Sequence, residues 1–284
     1  MEKALDNLQR RTDTLIAAYL LTTAGLVLLF HQRIPHWKMY ATVHILVSML
    51  LLSMRSVSGR LHPLLQFLRD WYPVLGFPLL YREVEVFAAA FGNWTLTEPI
   101  IQLETSLFDG HPSIYLSERF AWVAFSEYLH FCYVFYVLLF PTVGGYWYFT
   151  RRIAAFRELL FLVCFTYCAS YLFFILFPVD SPFYLFDPPG DPISGYFFYN
   201  LVHFVSGRGG ARGGAFPSSH VSVGTVIWLI TWQRQRWLAY LLAPIISGLI
   251  FATVYGRFHY VLDGVTGLGV GGLIVAIYSV LKRK

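Results

Sequence analysis

Long apolar runs dominate this chain and leave it few ways to fold. Residues 14–30, 39–54, 120–148, 156–177, 221–232, 237–254 and 260–281 carry few charges. A helix needs about 20 mostly apolar residues to cross the hydrocarbon of a bilayer. In lipid each backbone N–H and C=O must also be bonded internally, which runs of this kind achieve as helices. The fold class predicted is an all-α integral membrane protein. The run at 221–232 is short, and reaches spanning length if its helix begins near Ser218 and continues past Gln233. Composition agrees: 57% of residues are apolar and 13% charged, whereas a soluble domain carries about 25% charged residues. The same apolar excess excludes a disordered chain.

The polar segments give the chain its direction. Lys282, Arg283 and Lys284 end it, Arg234 and Arg236 separate two runs, and Arg151, Arg152 and Arg157 separate two others. If the last five runs alternate across the membrane, all three clusters share one side, read as cytoplasmic. The formal charge of +5 is then a loop property and does not call for a nucleic-acid partner. The opposite side receives 109–117, 178–220 and 257–263. Lys3, Arg10 and Arg11, with Arg55, Arg60 and Arg69, join the basic side only if 71–94 makes one more crossing. That crossing is expected, although the segment holds Pro73, Pro78, Arg82, Glu83 and Glu85. The first run lacks a small-residue cleavage site and reads as a span, not a removed signal. Cys132, Cys164 and Cys168 sit inside apolar runs and suggest no disulfide framework. Residues 1–117 are read as N-terminal spans and interfacial segments, and 118–284 as a catalytic membrane core.

Chemistry gathers on the side away from the arginine clusters. Residues 207–214 hold five glycines with Arg208 and Arg212, and lead into Pro217-Ser218-Ser219-His220 at the head of a run. Glycine lets backbone N–H groups approach an anion, a helix N-terminus favours negative charge, and guanidinium forks match phosphate oxygens. The same residues also suit a headgroup-facing loop with serine caps. Farther on, His259 and Asp263 lie four apart, close enough to share a helical face. A carboxylate on one imidazole nitrogen leaves the other as base or nucleophile. His220, His259 and Asp263 could in principle form a zinc triad, the lesser alternative.

Other polar groups have plainer readings. Glu127 and His130 could bind a metal, but with no second Glu-x-x-His a buried hydrogen bond is the better expectation. His44 reads as a satisfied core histidine. Asp109, His111, Asp180, Asp187 and Asp191 read as solvated loop residues, with a polar acceptor as the alternative. A transporter, with broken helices and ionisable groups at midplane, is the rival to an enzyme. Related halves are not visible in the sequence.

Together, Pro217-Ser218-Ser219-His220 opening one run and His259-x-x-x-Asp263 opening the run two later resemble the type-2 phosphatidic acid phosphatase superfamily. The likeness covers roughly 120–284. It implies a six-helix catalytic core with extra N-terminal helices, acting on a phospholipid or lipid phosphate at the extracytoplasmic face. In that family His259 would attack phosphorus, Asp263 would orient it, and His220 would protonate the leaving alkoxide. Ser218, Ser219, Arg208, Arg212 and Arg257 would hold the phosphate oxygens. No metal and no cofactor is implied, and the partners are a lipid substrate and a polar or lipid alcohol acceptor. The family's first signature, a lysine, six residues and Arg-Pro, is absent. The loop at 177–184 has neither lysine nor arginine, and Thr253 stands where the third signature has arginine. Gly214-Ala215-Phe216-Pro217-Ser218-x-His220, followed by Tyr255-x-x-x-His259-Tyr260-x-x-Asp263, looks like the inositol phosphorylceramide synthase branch, which moves phosphoinositol between lipids.

Overall fold

The computed structural model describes residues 2–54, 62–91, 94–186, 193–209 and 211–283, without the side chains of 2–6, 206–209 and 283. Arg55, Arg60, Asp187 and Asp191, and the side chains of Lys3, Arg208 and Arg283, therefore lie outside it. The described chain forms α1 (Glu2–Leu29), α2 (Trp37–Met54), α3 (Pro63–Ala88), α4 (Thr97–Phe108), α5 (Pro112–Arg119) and α6 (Val123–Phe149). It continues with α7 (Ile153–Leu176), α8 (Pro182–Leu185), α9 (Phe197–Gly209), α10 (Ser219–Arg234), α11 (Arg236–Tyr255) and α12 (Val261–Arg283). Six of these, α1, α2, α6, α7, α11 and α12, are long and apolar enough to cross a membrane.

Contacts show that α3 and α10 run the same depth. Asp70 pairs with Arg157 near the start of α7, Phe77 stacks on Tyr167, and Tyr81 reaches Tyr171. Helix α3 thus climbs alongside α7, and its 26 residues make it about 39 Å long. Most of the segment expected to make one more crossing lies in this helix, which starts earlier than residue 71 and ends at Ala88 and is not among the six long and apolar enough to cross. Helix α10 descends from Ser218 to Arg234, whose guanidinium bonds Glu158 of α7. Lys282 of α12 bonds the same carboxylate. Arg69 reaches Asp13 of α1 and the Met54 carbonyl of α2. Every basic cluster described thus lies at one end of the bundle, hereafter the arginine end.

The bundle proper is α3, α6, α7, α10, α11 and α12. The hairpin α1–α2 packs outside it against α7 and α3. Short helices α4, α5, α8 and α9 cover the opposite end. Helix α4 is amphipathic: Thr97, Ile100 and Glu104 are buried at three- and four-residue spacing, while Leu103, Leu107 and Phe108 are exposed.

Glycine sets the closest approach. A Cβ on Gly267 would sit 2.8 Å from the Ser218 carbonyl oxygen, and one on Gly271 would sit 2.6 Å from that of Ser222. Small residues four apart let two membrane helices touch backbone to backbone. Here they press α12 onto the head of α10, where both halves of the sequence motif lie.

Candidate active site

Helix α10 begins as its sequence requires. Ser218 is the N-cap, its Oγ accepting from the Val221 N–H at 3.3 Å. The Ser218 N–H donates to the Asp263 carbonyl at 3.0 Å, tying the two helix heads together. His220 follows within the first turn. Its ring stacks on Tyr133 at 4.9 Å and 20° and lies 4.4 Å from Tyr136, both on α6.

The other histidine is not on a helix. Helix α11 ends at Tyr255, and Arg257 takes a left-handed φ of 60°. The His259 N–H turns back to the Thr253 carbonyl at 2.8 Å. Helix α12 starts only at Val261. The shared helical face expected for His259 and Asp263 is therefore corrected: a cap joins them. Asp263 Oδ2 accepts from the Tyr260 N–H at 2.8 Å and lies 3.2 Å from His259 Nδ1.

A second oxygen meets the same nitrogen. His259 Nδ1 lies 2.9 Å from the Ala215 carbonyl. That carbonyl is positioned by a short parallel bridge: Val179 N–H to Gly213 O and Ala215 N–H to Val179 O, each 3.0 Å. Gly213 has φ 82°, which glycine tolerates without strain, and its N–H donates to Asp180 Oδ1 at 2.9 Å. Asp180 is thus a bracing residue, a correction to its reading as solvated.

These contacts fix the protons. A carbonyl only accepts, so His259 Nδ1 carries the hydrogen and Nε2 keeps its lone pair. Burial pulls the His259 pKa down to about 4, against the raising effect of the Ala215 bond, and the ring is neutral at pH 7. Nε2 faces His220 Nδ1 at 3.4 Å, so the proton between the rings belongs on His220.

Of the cations expected at a phosphate, Arg257 is buried and donates to Ser117 Oγ at 2.8 Å. Arg212 is exposed, with its guanidinium 5.4 Å above the Tyr184 ring. Tyr184 lies in the field of Glu85, Arg212, Asp180 and Arg82, so α3 also contributes charge to this rim. Arg208 lies outside the described side chains. Ser219 is buried beside Ser218.

The remaining candidates have structural duties. Glu127 accepts from four backbone N–H groups at the start of α9, those of Tyr196, Phe197, Phe198 and Tyr199. His130 Nδ1 meets the Ser126 carbonyl at 2.7 Å. His44 bonds Thr23 and Glu83, as a satisfied core histidine should. Asp109 ends α4 at φ 54°, and His111 packs its ring on Phe186. Among the described residues no three His, Cys, Asp or Glu side chains are arranged to hold a metal ion.

Sequence reasoning missed Glu104. It is fully buried, and its Oε1 accepts from the Val261 N–H at 2.6 Å. The signal was an acid in the apolar stripe of α4. Tyr133 and Tyr136 left no comparable signal.

A family model described as the PAP2 superfamily matches residues 98–277. Comparison with curated proteins and with solved structures returns no match.

Proposed function

The chain belongs to the PAP2 superfamily, and on that premise we propose a double displacement at a lipid phosphoester in which His259 is the nucleophile and His220 the acid. Membership supports a multi-pass membrane enzyme of the lipid phosphatase type over a transporter. The observation that carries the assignment of roles is the pair of oxygens on His259 Nδ1, which leaves Nε2 as the free lone pair.

In the first step His220 takes up a second proton as the anionic substrate arrives, Nε2 of His259 attacks phosphorus, the P–O bond to the lipid alcohol breaks, and His220 gives that proton to the departing oxygen and is left neutral. His259 becomes a phosphohistidine whose positive charge faces Asp263. In the second step water or an alcohol attacks phosphorus, His220 takes its proton, and the P–N bond breaks. Splitting one displacement into two is the gain from a covalent intermediate, and a positioned acid contributes about 10²–10⁴-fold. The Ser219 N–H, with Arg212, Arg208 and Arg257, would hold the equatorial oxygens, while the Ser218 N–H stays on the Asp263 carbonyl.

The finer reading is transfer of a phosphoinositol headgroup between lipids, supported by the two extended motifs at 214–220 and 255–263. Plain hydrolysis is the second outcome. The site would face away from the cytoplasm, supported by the basic clusters at the far end. Residues 118–284 would be the catalytic core and 1–117 its brace. The test is incubation of purified protein with a panel of phospholipids, with and without inositol, and identification of products by mass spectrometry. Products consistent with headgroup transfer support the finer reading. Release of phosphate or headgroup alone reduces it to hydrolysis, and no turnover of any phosphoester overturns the proposal.

A further inference from the structure

Helix α4 delivers a carboxyl group that the displacement does not use. Glu104 Oε1 is taken up by the Val261 N–H. Its Oε2 and the Oδ1 of Asp263 are both buried without a hydrogen-bond partner among the described residues. Tyr260, whose N–H binds Asp263, separates His259 from Val261 in the chain. Glu104 and Asp263 therefore grip consecutive backbone N–H groups of one turn, the turn that holds the nucleophile. We infer that Glu104 is a positioning residue that carries a proton beside Asp263, keeping this pocket at a single negative charge, and that its ionisation slows the reaction at alkaline pH. This rests on the assignment of His259 and Asp263 made above.

Two ionised carboxylates in one dry site disfavour each other. An ionised carboxylate is also acceptor-only, whereas a protonated Glu104 supplies an O–H and keeps a carbonyl for Val261. The groups around it add no compensating charge: Asp263 from α12, the Tyr260 hydroxyl and neutral His259 from the connection, with Glu98 and Asp180 also acting on Tyr260. Burial raises the Glu104 carboxyl to about 7, with Asp263 adding to the rise and the Val261 and Leu262 N–H groups opposing it. Once ionised, Glu104 places a second negative charge behind the position an anionic phosphate must reach. Its effect runs through Asp263 and the α12 N-terminus, so it is not a catalytic residue.

The variant to make is Glu104→Gln, which retains the acceptor for Val261 and removes the titration. Its kcat/KM should match wild type near pH 6 and exceed it by about tenfold near pH 9, the size of a one-unit like-charge effect. A Glu104→Gln profile with the wild-type alkaline limb overturns the proposal. A second readout needs no substrate: isotope-edited infrared spectroscopy of protein labelled at glutamate carboxyls. Wild type should show a carboxylic-acid C=O band that fades as pH rises through neutrality and is missing in Glu104→Gln. If that variant does not fold, Asp263→Asn serves, and the band should then fade at lower pH. No such band in wild type overturns the proposal whatever the substrate. A band with no turnover of any phospholipid overturns the proposed function alone.

Discussion

The two ends of this bundle bury acids in opposite ways. At the arginine end Asp70 meets Arg157 at 3.5 Å, Asp13 meets Arg69 at 3.7 Å, and Glu158 meets Arg234 and Lys282. At the other end Asp263 and Glu104 take backbone N–H groups and an imidazole. An acid neutralised by a guanidinium has its charge committed to holding helices together. Asp263, bound only by neutral donors, keeps a field that can act on something arriving. Burial alone does not mark a site; the kind of partner does.

Substitutions at the two ends should then fail differently. The largest loss of turnover is expected from His259→Ala and Asp263→Asn, each about 10³-fold or more, with melting temperature and elution volume close to wild type. Normal activity in a folded His259→Ala protein breaks the contrast at its root. Next comes His220→Ala, at about 10²–10⁴-fold, with a phosphorylated His259 accumulating and detectable by mass spectrometry. At the arginine end the sign reverses. Asp70→Ala removes the carboxylate that Arg157 meets at 3.5 Å and should lower stability by up to about 3 kcal/mol, while the folded fraction turns over normally. Heat denaturation paired with activity per folded molecule separates the two effects.

Smaller effects sharpen the comparison. Arg212→Ala should lower kcat/KM by at least about tenfold, since a charge-assisted contact is worth roughly 1.5–3 kcal/mol, and Arg234→Ala should leave it unchanged. Acid should also find the ends unequal. His259 has its folded pKa depressed to about 4 by burial, while an unfolded histidine titrates near 6.5. Between those values the unfolded state binds more protons, so stability falls as pH drops through that window. His259→Ala should remove this part of the slope in a pH series of unfolding curves.

Much of this was legible in the order of residues. Apolar run length set the helices, arginine spacing gathered the basic clusters at one end, and Pro217-Ser218-Ser219-His220 with His259-x-x-x-Asp263 pointed to the superfamily that the match at 98–277 shows. The part that was not legible depends on contacts between distant segments. Glu104 meets Val261 across 157 positions, and no local pattern announces such a bond. Ala215 acts through its carbonyl, which side-chain identity does not encode. His259 and Asp263 were read at helical spacing because four residues fit both a helical turn and a cap, and only the left-handed Arg257 tells them apart. Asp180 was misread because an acid in a proline-rich loop ordinarily faces water.

The contact between Tyr81 and Gly214 bears on how such a protein can change over time. A Cβ at Gly214 would stand 3.3 Å from the Tyr81 ring, and Tyr81 belongs to a helix that precedes the family match at residues 98–277. The loop bearing Ala215 is therefore walled by sequence that the shared core does not supply. Grafting the matched segment onto a foreign N-terminal half would carry the histidines across but leave that wall behind. Residues 81 and 214 are correspondingly bound together: a side chain added at 214 requires the Tyr81 ring to give by a few tenths of an ångström.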